Sequence, residues 1–222
     1  MRRHALTIAA AAVLVATGAN AAKPPTTWDG LVQVPSKRLN VVYLLPGADF
    51  APYIKVMIDP TEVAFDKGWL RDYNMSTSSL TSRISEKELQ KMVTDAIPEA
   101  TQIFADAFGK GGYQVVTEPG PDVLRVRTGV LNIRVNAPDT RSAGRSYSFA
   151  PEAGSATLFV EARDSQTGAL LGRAVDGRVI GDSPSAWRTS VSNRGDFRDA
   201  VETWAKISVR GLTELKAQPP VK

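Results

Sequence analysis

The chain has 222 residues, 43% of them apolar and 23% charged, with a formal charge of +4 at pH 7, one histidine and no cysteine. That length suits one domain with a substantial core. The composition removes thiolate chemistry outright and leaves any imidazole chemistry to His4 alone.

The first 21 residues, "MRRHALTIAAAAVLVATGANA", place two arginines before an apolar run from Ala5 to about Ala19 that ends in Ala19-Asn20-Ala21. This pattern predicts a secretory signal peptide cleaved after Ala21; the run is too short for a membrane span. Cleavage removes Arg2, Arg3 and His4, which lowers the net charge from +4 to +2 and leaves no histidine. Serine and cysteine triads, zinc on imidazole or thiolate, haem ligation and thiol redox exchange are then excluded, and no cofactor is expected. The remaining charges are mixed along the chain rather than gathered in a Lys/Arg patch, so nucleic acid is not an expected partner. With no cysteine to carry a lipid, the expectation is a non-lipidated periplasmic or secreted protein with no transmembrane anchor after cleavage.

Residues 22–50 read as an extended N-terminal arm with a short apolar run at Val41 to Pro46. Residues 51–216 read as a single domain and 217–222 as a tail. "YIKVMIDPTEVAF", Tyr53 to Phe65, alternates apolar residues around Asp59-Pro60 and predicts a strand that bends there. The stretch from Asp66 to Arg83 has no sustained period and reads as a loop. From Ser85 to Phe108 the period is helical, with a Ser85/Glu88 capping box and Leu89, Met92, Val93, Ala96, Ala100, Ile103, Phe104 and Ala107 on one face. Pro98 should kink this helix, and the glycines at 109, 111 and 112 should end it. A second helix is predicted from about Asp196 to Leu215, with Trp204 on its apolar stripe.

Between the helices, strands are predicted at "YQVV" from Tyr113, at Val123 to Val135, at "ATLFVEAR" from Ala156 and at "ALLGRAVDGRV" from Ala169. In the second of these Leu124 and Val126 are even while Leu131, Ile133 and Val135 are odd, which calls for a bulge near Thr128-Gly129. Arg125, Arg127, Asn132 and Arg134 then face away from the helices. "DSQTG", Asp164 to Gly168, reads as a hairpin turn in which Asp164 bonds backbone N–H groups and Gly168 takes positive φ. Glu161, Arg163, Arg173 and Arg178 read as residues of a solvated strand face. The functional alternative is an anion- or partner-binding face made by Arg125, Arg127, Arg134, Arg163 and Arg173. Trp28, Trp69 and Trp187 lie in segments read as loops, where a tryptophan either folds over the core or anchors a partner.

"YIKVMIDPTEVAF", "VTEPGPDVLRVRTGVLNIRVNAP", "AGSATLFVEARDSQTGALLGRAVDGR" and "DFRDAVETWAK" follow one another in an order that resembles the domain of unknown function 3313 family. These are exported bacterial proteins, many of them lipoproteins. The resemblance implies an envelope compartment and supplies no catalytic residues; the lipid-bearing cysteine of many members is missing here.

Element order predicts an α+β fold, a two-layer sandwich whose mixed or antiparallel sheet of about four to six strands carries two helices on one face. The expected function is a non-catalytic binding or assembly module for an envelope protein or an anionic envelope component. The alternative is a hydrolase using paired carboxylates, for which Asp59, Glu62 and Asp66 are the clustered choice.

Overall fold

The computed structural model describes residues 23–77, 80–136, 148–149, 153–181, 187–188 and 190–221. The predicted signal peptide lies outside them.

The first hairpin joins β1 (Thr27–Trp28) to β2 (Leu31–Val34) across Asp29-Gly30, whose φ values of 51° and 81° are the left-handed pair of a two-residue type I′ turn. Strand β3 (Val41–Leu44) then pairs antiparallel with β2, so the stretch expected as an extended arm enters the sheet. Strands β4 (Lys55–Ile58) and β5 (Glu62–Phe65) are the two halves of the strand predicted over 53–65, interrupted at Asp59-Pro60 as expected. At the break the ladder is replaced by side chains. The backbone N–H of buried Thr61 donates to Thr101 Oγ1 at 2.8 Å, and its hydroxyl meets that of Thr128 at 2.7 Å.

The loop expected from Asp66 contains a helix, α1 (Trp69–Ser76). Its contacts are to residues outside the helix: Trp69 packs on Phe65 at 4.6 Å and its Nε1 donates to the Val135 carbonyl at 3.0 Å, while Asn74 donates to the Ile84 carbonyl at 2.7 Å and accepts the Ile84 backbone N–H at 2.9 Å. Eight residues docked by one indole and several polar side chains leave no apolar period to read. Helix α2 (Glu86–Lys110) begins at the predicted capping box and runs through Pro98. Strands β6 (Gln114–Val115), β7 (Val123–Val135), β8 (Ser148–Phe149), β9 (Gly154–Asp164), β10 (Leu170–Ile180) and β11 (Trp187–Arg188) follow, and α3 (Ser190–Lys216) closes the chain.

Nine strands form one mixed sheet in the order β1-β2-β3-β10-β9-β7-β4-β6, with β5 also paired to β7; β8 and β11 pair separately. The expectation of four to six strands and two helices was too low, because the short strands carry too few residues to show a period. The pairs β4/β7, β5/β7 and β4/β6 are parallel and the others antiparallel. Parallel neighbours need a long crossover, and α2 supplies it between β4 and β6.

Helices α2 and α3 cover one face of the sheet. Ala100, Ile103, Phe104 and Phe108 of α2 and Val201, Trp204, Ala205 and Leu212 of α3 join Leu124, Val126, Val130, Ala156 and Leu158 in one core. The predicted change of parity in β7 occurs, but not at Thr128-Gly129. Thr128 and Val130 keep even parity and stay buried, and the register slips between Leu131 and Arg134 around Asn132, which has φ 52°. Asparagine tolerates the left-handed region better than most residues, so position 132 accommodates the bulge, while the ladder with β9 runs unbroken through Thr128-Gly129.

The hairpin between β9 and β10 follows its turn chemistry. Asp164 Oδ1 accepts from the backbone N–H of Gln166 at 3.1 Å, from that of Thr167 at 2.7 Å and from the Thr167 hydroxyl at 2.8 Å. The Thr167 backbone and hydroxyl donors, with smaller help from Tyr53 and Gln166, hold the Asp164 carboxyl below its usual range. Tyr53, which donates to Asp164 Oδ2 at 2.9 Å, is pushed up to about 12, first by burial and then by that bond. Gly168 has φ 72° with open space where a Cβ would stand, so the obstacle to a side chain there is backbone strain alone. Gly168→Val is expected to cost about 1–2 kcal/mol, read as a lower melting temperature; an unchanged melting temperature refutes the strain.

Candidate functional site

The sheet face opposite the helices carries the arginines singled out in the sequence, and it brings them together with carboxylates. β7, β9 and β10 lie side by side in a register that sets Arg127 opposite Glu161 and Glu161 opposite Arg173. Glu161 therefore sits at the centre of three guanidinium groups. It accepts from Arg173 Nη2 at 2.6 Å and Nε at 3.1 Å, from Arg163 Nη2 at 3.0 Å and Nε at 3.1 Å, and from Arg127 Nη1 at 3.2 Å.

Glu161 and Arg173 were expected on a solvated face, yet their side chains are each only 3% exposed. The reason is the β1/β2 hairpin, which folds across this end of the sheet. Asp29 accepts from Arg173 Nη1 at 2.9 Å, and the Arg173 guanidinium lies 3.9 Å from the centre of the Trp28 ring. Trp28 in turn meets Tyr43 edge-on at 5.7 Å. Leu31, Tyr43 and Phe159 are buried with them, outside the main core. Arg178, also expected on that solvated face, points the other way, donating from Nε to Asp176 Oδ2 at 2.7 Å.

Farther along the same face the contacts are more exposed. Arg125 grips both oxygens of Asp59 at 2.9 and 3.0 Å, Arg127 Nη2 reaches Glu62 at 2.7 Å, and Arg134 donates to Asp66 at 2.7 Å and Asp72 at 3.4 Å. The side chains of Arg125, Arg127 and Arg134 are 44%, 39% and 46% exposed. The clustered carboxylates Asp59, Glu62 and Asp66 are thus each engaged by an arginine. Among the described residues no group of three or more His, Cys, Asp or Glu is placed to hold a metal ion. Trp69 and Trp28 fold down onto the protein; the side chain of Trp187 lies outside the described residues.

A second feature, which sequence reasoning missed, lies on the helix side. Between α3 and the sheet is a cavity of about 850 Å³, walled by half-buried apolar residues such as Val42, Val160, Ala174, Ile207 and Leu215. Its origin is side-chain size. Ser208 and Gly211 on α3 face Ala162, Gly172 and Ala174 on the sheet, so the layers cannot close there. The loop 35–40 forms one part of the rim and bears Lys37 and Arg38; Arg38 Nη1 donates to Glu214 of α3 at 2.8 Å. The C-terminal segment forms another, held where Val221 exchanges backbone hydrogen bonds with Gly47 and Ala48 at 2.7 and 3.0 Å. The sequence signal was present only as small residues on the α3 stripe.

The family described as "Protein of unknown function (DUF3313)" matches residues 25–207. No curated protein matches the chain. Among solved structures, the PelC dodecamer from Paraburkholderia phytofirmans is similar over 77% of this chain and 95% of its own, at 14% identity and a TM-score of 0.40. A minor lipoprotein from Acinetobacter baumannii is similar over 77% of this chain and 98% of its own, at 12% identity and a TM-score of 0.35. Among the described residues no helix is long and apolar enough to cross a membrane.

Proposed function

We propose that this chain, which belongs to the DUF3313 family, is an exported, non-catalytic binding module that docks a protein of the cell envelope on its arginine and carboxylate face. The observation that carries this reading is the way the exposed arginines are held. Arg125, Arg127 and Arg134 each have a carboxylate partner within 2.9 Å while remaining about two-fifths exposed. Guanidinium groups already fixed by acids lose little freedom on binding, and they retain N–H donors for a partner's carboxylates and carbonyls. Alternating charge favours selection of one complementary protein surface over a polyanion, which prefers unneutralised arginine. Export rests on the leader, with cleavage after Ala21 and no lipid attached.

The test compares wild type with a variant carrying Arg125→Ser, Arg127→Ser and Arg134→Ser together, both immobilised and exposed to envelope extract. Envelope protein retained by wild type at low salt should be lost by the variant, with both proteins folded and both binding anionic vesicles poorly. Identical retention by the two proteins overturns the docking face. Vesicle binding by wild type alone assigns the face to an anionic component instead.

A further inference from the structure

We propose that the cavity under α3 binds a single-chain anionic amphiphile, its acyl chain against the apolar wall and its head group at Lys37 and Arg38. This goes beyond the docking face, which lies on the other side of the sheet. Protein interiors are normally packed nearly as tightly as organic crystals, and a void this large between helix and sheet forfeits contacts along its whole lining. At about 850 Å³ it falls within the range of ligand cavities, about 300–1,000 Å³.

Its wall also has the required chemistry. Val42, Ala174 and Val160 stand side by side on β3, β10 and β9, and Ile207, Leu212 and Leu215 face them from α3. These six are aliphatic and line the cavity together with Phe50 and Phe108, an apolar wall that suits a saturated chain. The backbone at Gly211 opens directly onto the void, since a Cβ there would meet nothing within 4 Å.

Charge is confined to the rim, and its sign is informative. Arg38 is paired with Glu214, but Lys37 is exposed beside it and has no carboxylate partner among the described residues. The local balance is therefore one positive charge at the edge of an apolar cavity, complementary to an anionic head group and unfavourable to a cationic one. Loop 35–40 holds that charge in place. Ser36 Oγ accepts from the Leu39 backbone N–H at 3.1 Å, the Asn40 N–H donates to Asp176 Oδ1 at 3.0 Å, and Asn40 Oδ1 accepts from Gly177 N–H at 2.7 Å.

The experiment titrates the full chain, as exported, with 11-(dansylamino)undecanoic acid, following the blue shift and gain of dansyl emission, then displaces the probe with dodecanoate or dodecanol. Saturable binding is expected, with dodecanoate displacing better than dodecanol. Gly211→Leu should weaken binding by at least about tenfold, because the new side chain fills the void, while raising the melting temperature, because glycine is a poor helix former. Ala174→Leu fills the same space from the sheet and guards against a failure of the helix variant to fold. Lys37→Glu should weaken dodecanoate by about fivefold, the scale of an exposed ion pair, and leave dodecanol unchanged. Absence of saturable binding, or full binding by folded Gly211→Leu or Ala174→Leu, overturns the site. Equal displacement by dodecanoate and dodecanol overturns the anionic ligand. None of these substitutions touches the arginine face, so failure here leaves the envelope docking test unaffected.

Discussion

Replacing Glu161 with alanine is expected to cost about 3–5 kcal/mol, the penalty for breaking a buried ion pair by removing one partner. Among the described residues Glu161 is the sole carboxylate contact for Arg163, and it is the doubly bonded one for Arg173. Without it the Arg173 guanidinium stays buried under Trp28 with Asp29 the one carboxylate left beside it among the described residues. Against a typical domain stability of about 5–15 kcal/mol, such a loss is a large fraction of the whole. Urea unfolding followed by circular dichroism measures it. Arg125→Ser, at the exposed end of the same face, should stay within about 0.5 kcal/mol of wild type, as surface changes usually do. The double variant Glu161→Leu/Arg173→Met should recover most of the loss, since replacing a buried pair with apolar groups is often neutral. A Glu161→Ala protein within 1 kcal/mol of wild type would show that solvent reaches this centre.

The long elements were legible because each advertises itself within its own residues. Ser85 and Glu88 announced the start of α2, the interruption at Asp59-Pro60 marked the break between β4 and β5, and Asp164 with Gly168 specified the turn between β9 and β10. Where reading failed, the deciding interaction was distant. Helix α1 is held by Trp69 on the Val135 carbonyl, by Asn74 on both backbone groups of Ile84 and by Asp72 on Arg134. The bulge falls at Asn132, not at Thr128-Gly129 where glycine would also accept positive φ, because β9 holds an unbroken register from Leu124 to Leu131. The hairpin at Asp29-Gly30 is a different case. An Asp-Gly pair flanked by Trp28 and Leu31 is a strong local signal, but it follows directly on the Pro24-Pro25-Thr26-Thr27 stretch, whose prolines and polar residues favour an extended arm.

That one hairpin also accounts for the misplacement of the charged centre. Alternation along β9 and β10 correctly puts Glu161 and Arg173 on the face away from the helices, yet alternation cannot tell an open face from one covered by another strand pair. Once β1 and β2 lie over it, the pair becomes buried and structural, Arg163 keeps 27% of its side chain exposed, and Arg125, Arg127 and Arg134 keep more. The cavity was illegible for a related reason. No motif marks it; it arises where small residues from β9, β10 and α3 happen to oppose one another, a coincidence that topology alone creates.

Trp204→Ala is expected to cost about 3–5 kcal/mol, the usual range for deleting a large aromatic side chain from a core. The indole is fully buried near the middle of α3, within the main core. Its Nε1 also donates to Asp176 Oδ2 at 2.8 Å, an oxygen shared with Arg178, while Asp176 Oδ1 accepts the Asn40 N–H. Asp176 is thus a buried carboxylate tying α3, β10 and the loop after β2 together. Trp204→Phe separates the two contributions: it keeps most of the packing and removes one hydrogen bond to a charged group, which should cost about 1.5–3 kcal/mol. Chemical denaturation followed by circular dichroism gives both values. Equal losses for alanine and phenylalanine would show that the bond to Asp176, not the filling of the core, holds α3 on the sheet, whereas a negligible loss for phenylalanine would assign the whole effect to packing.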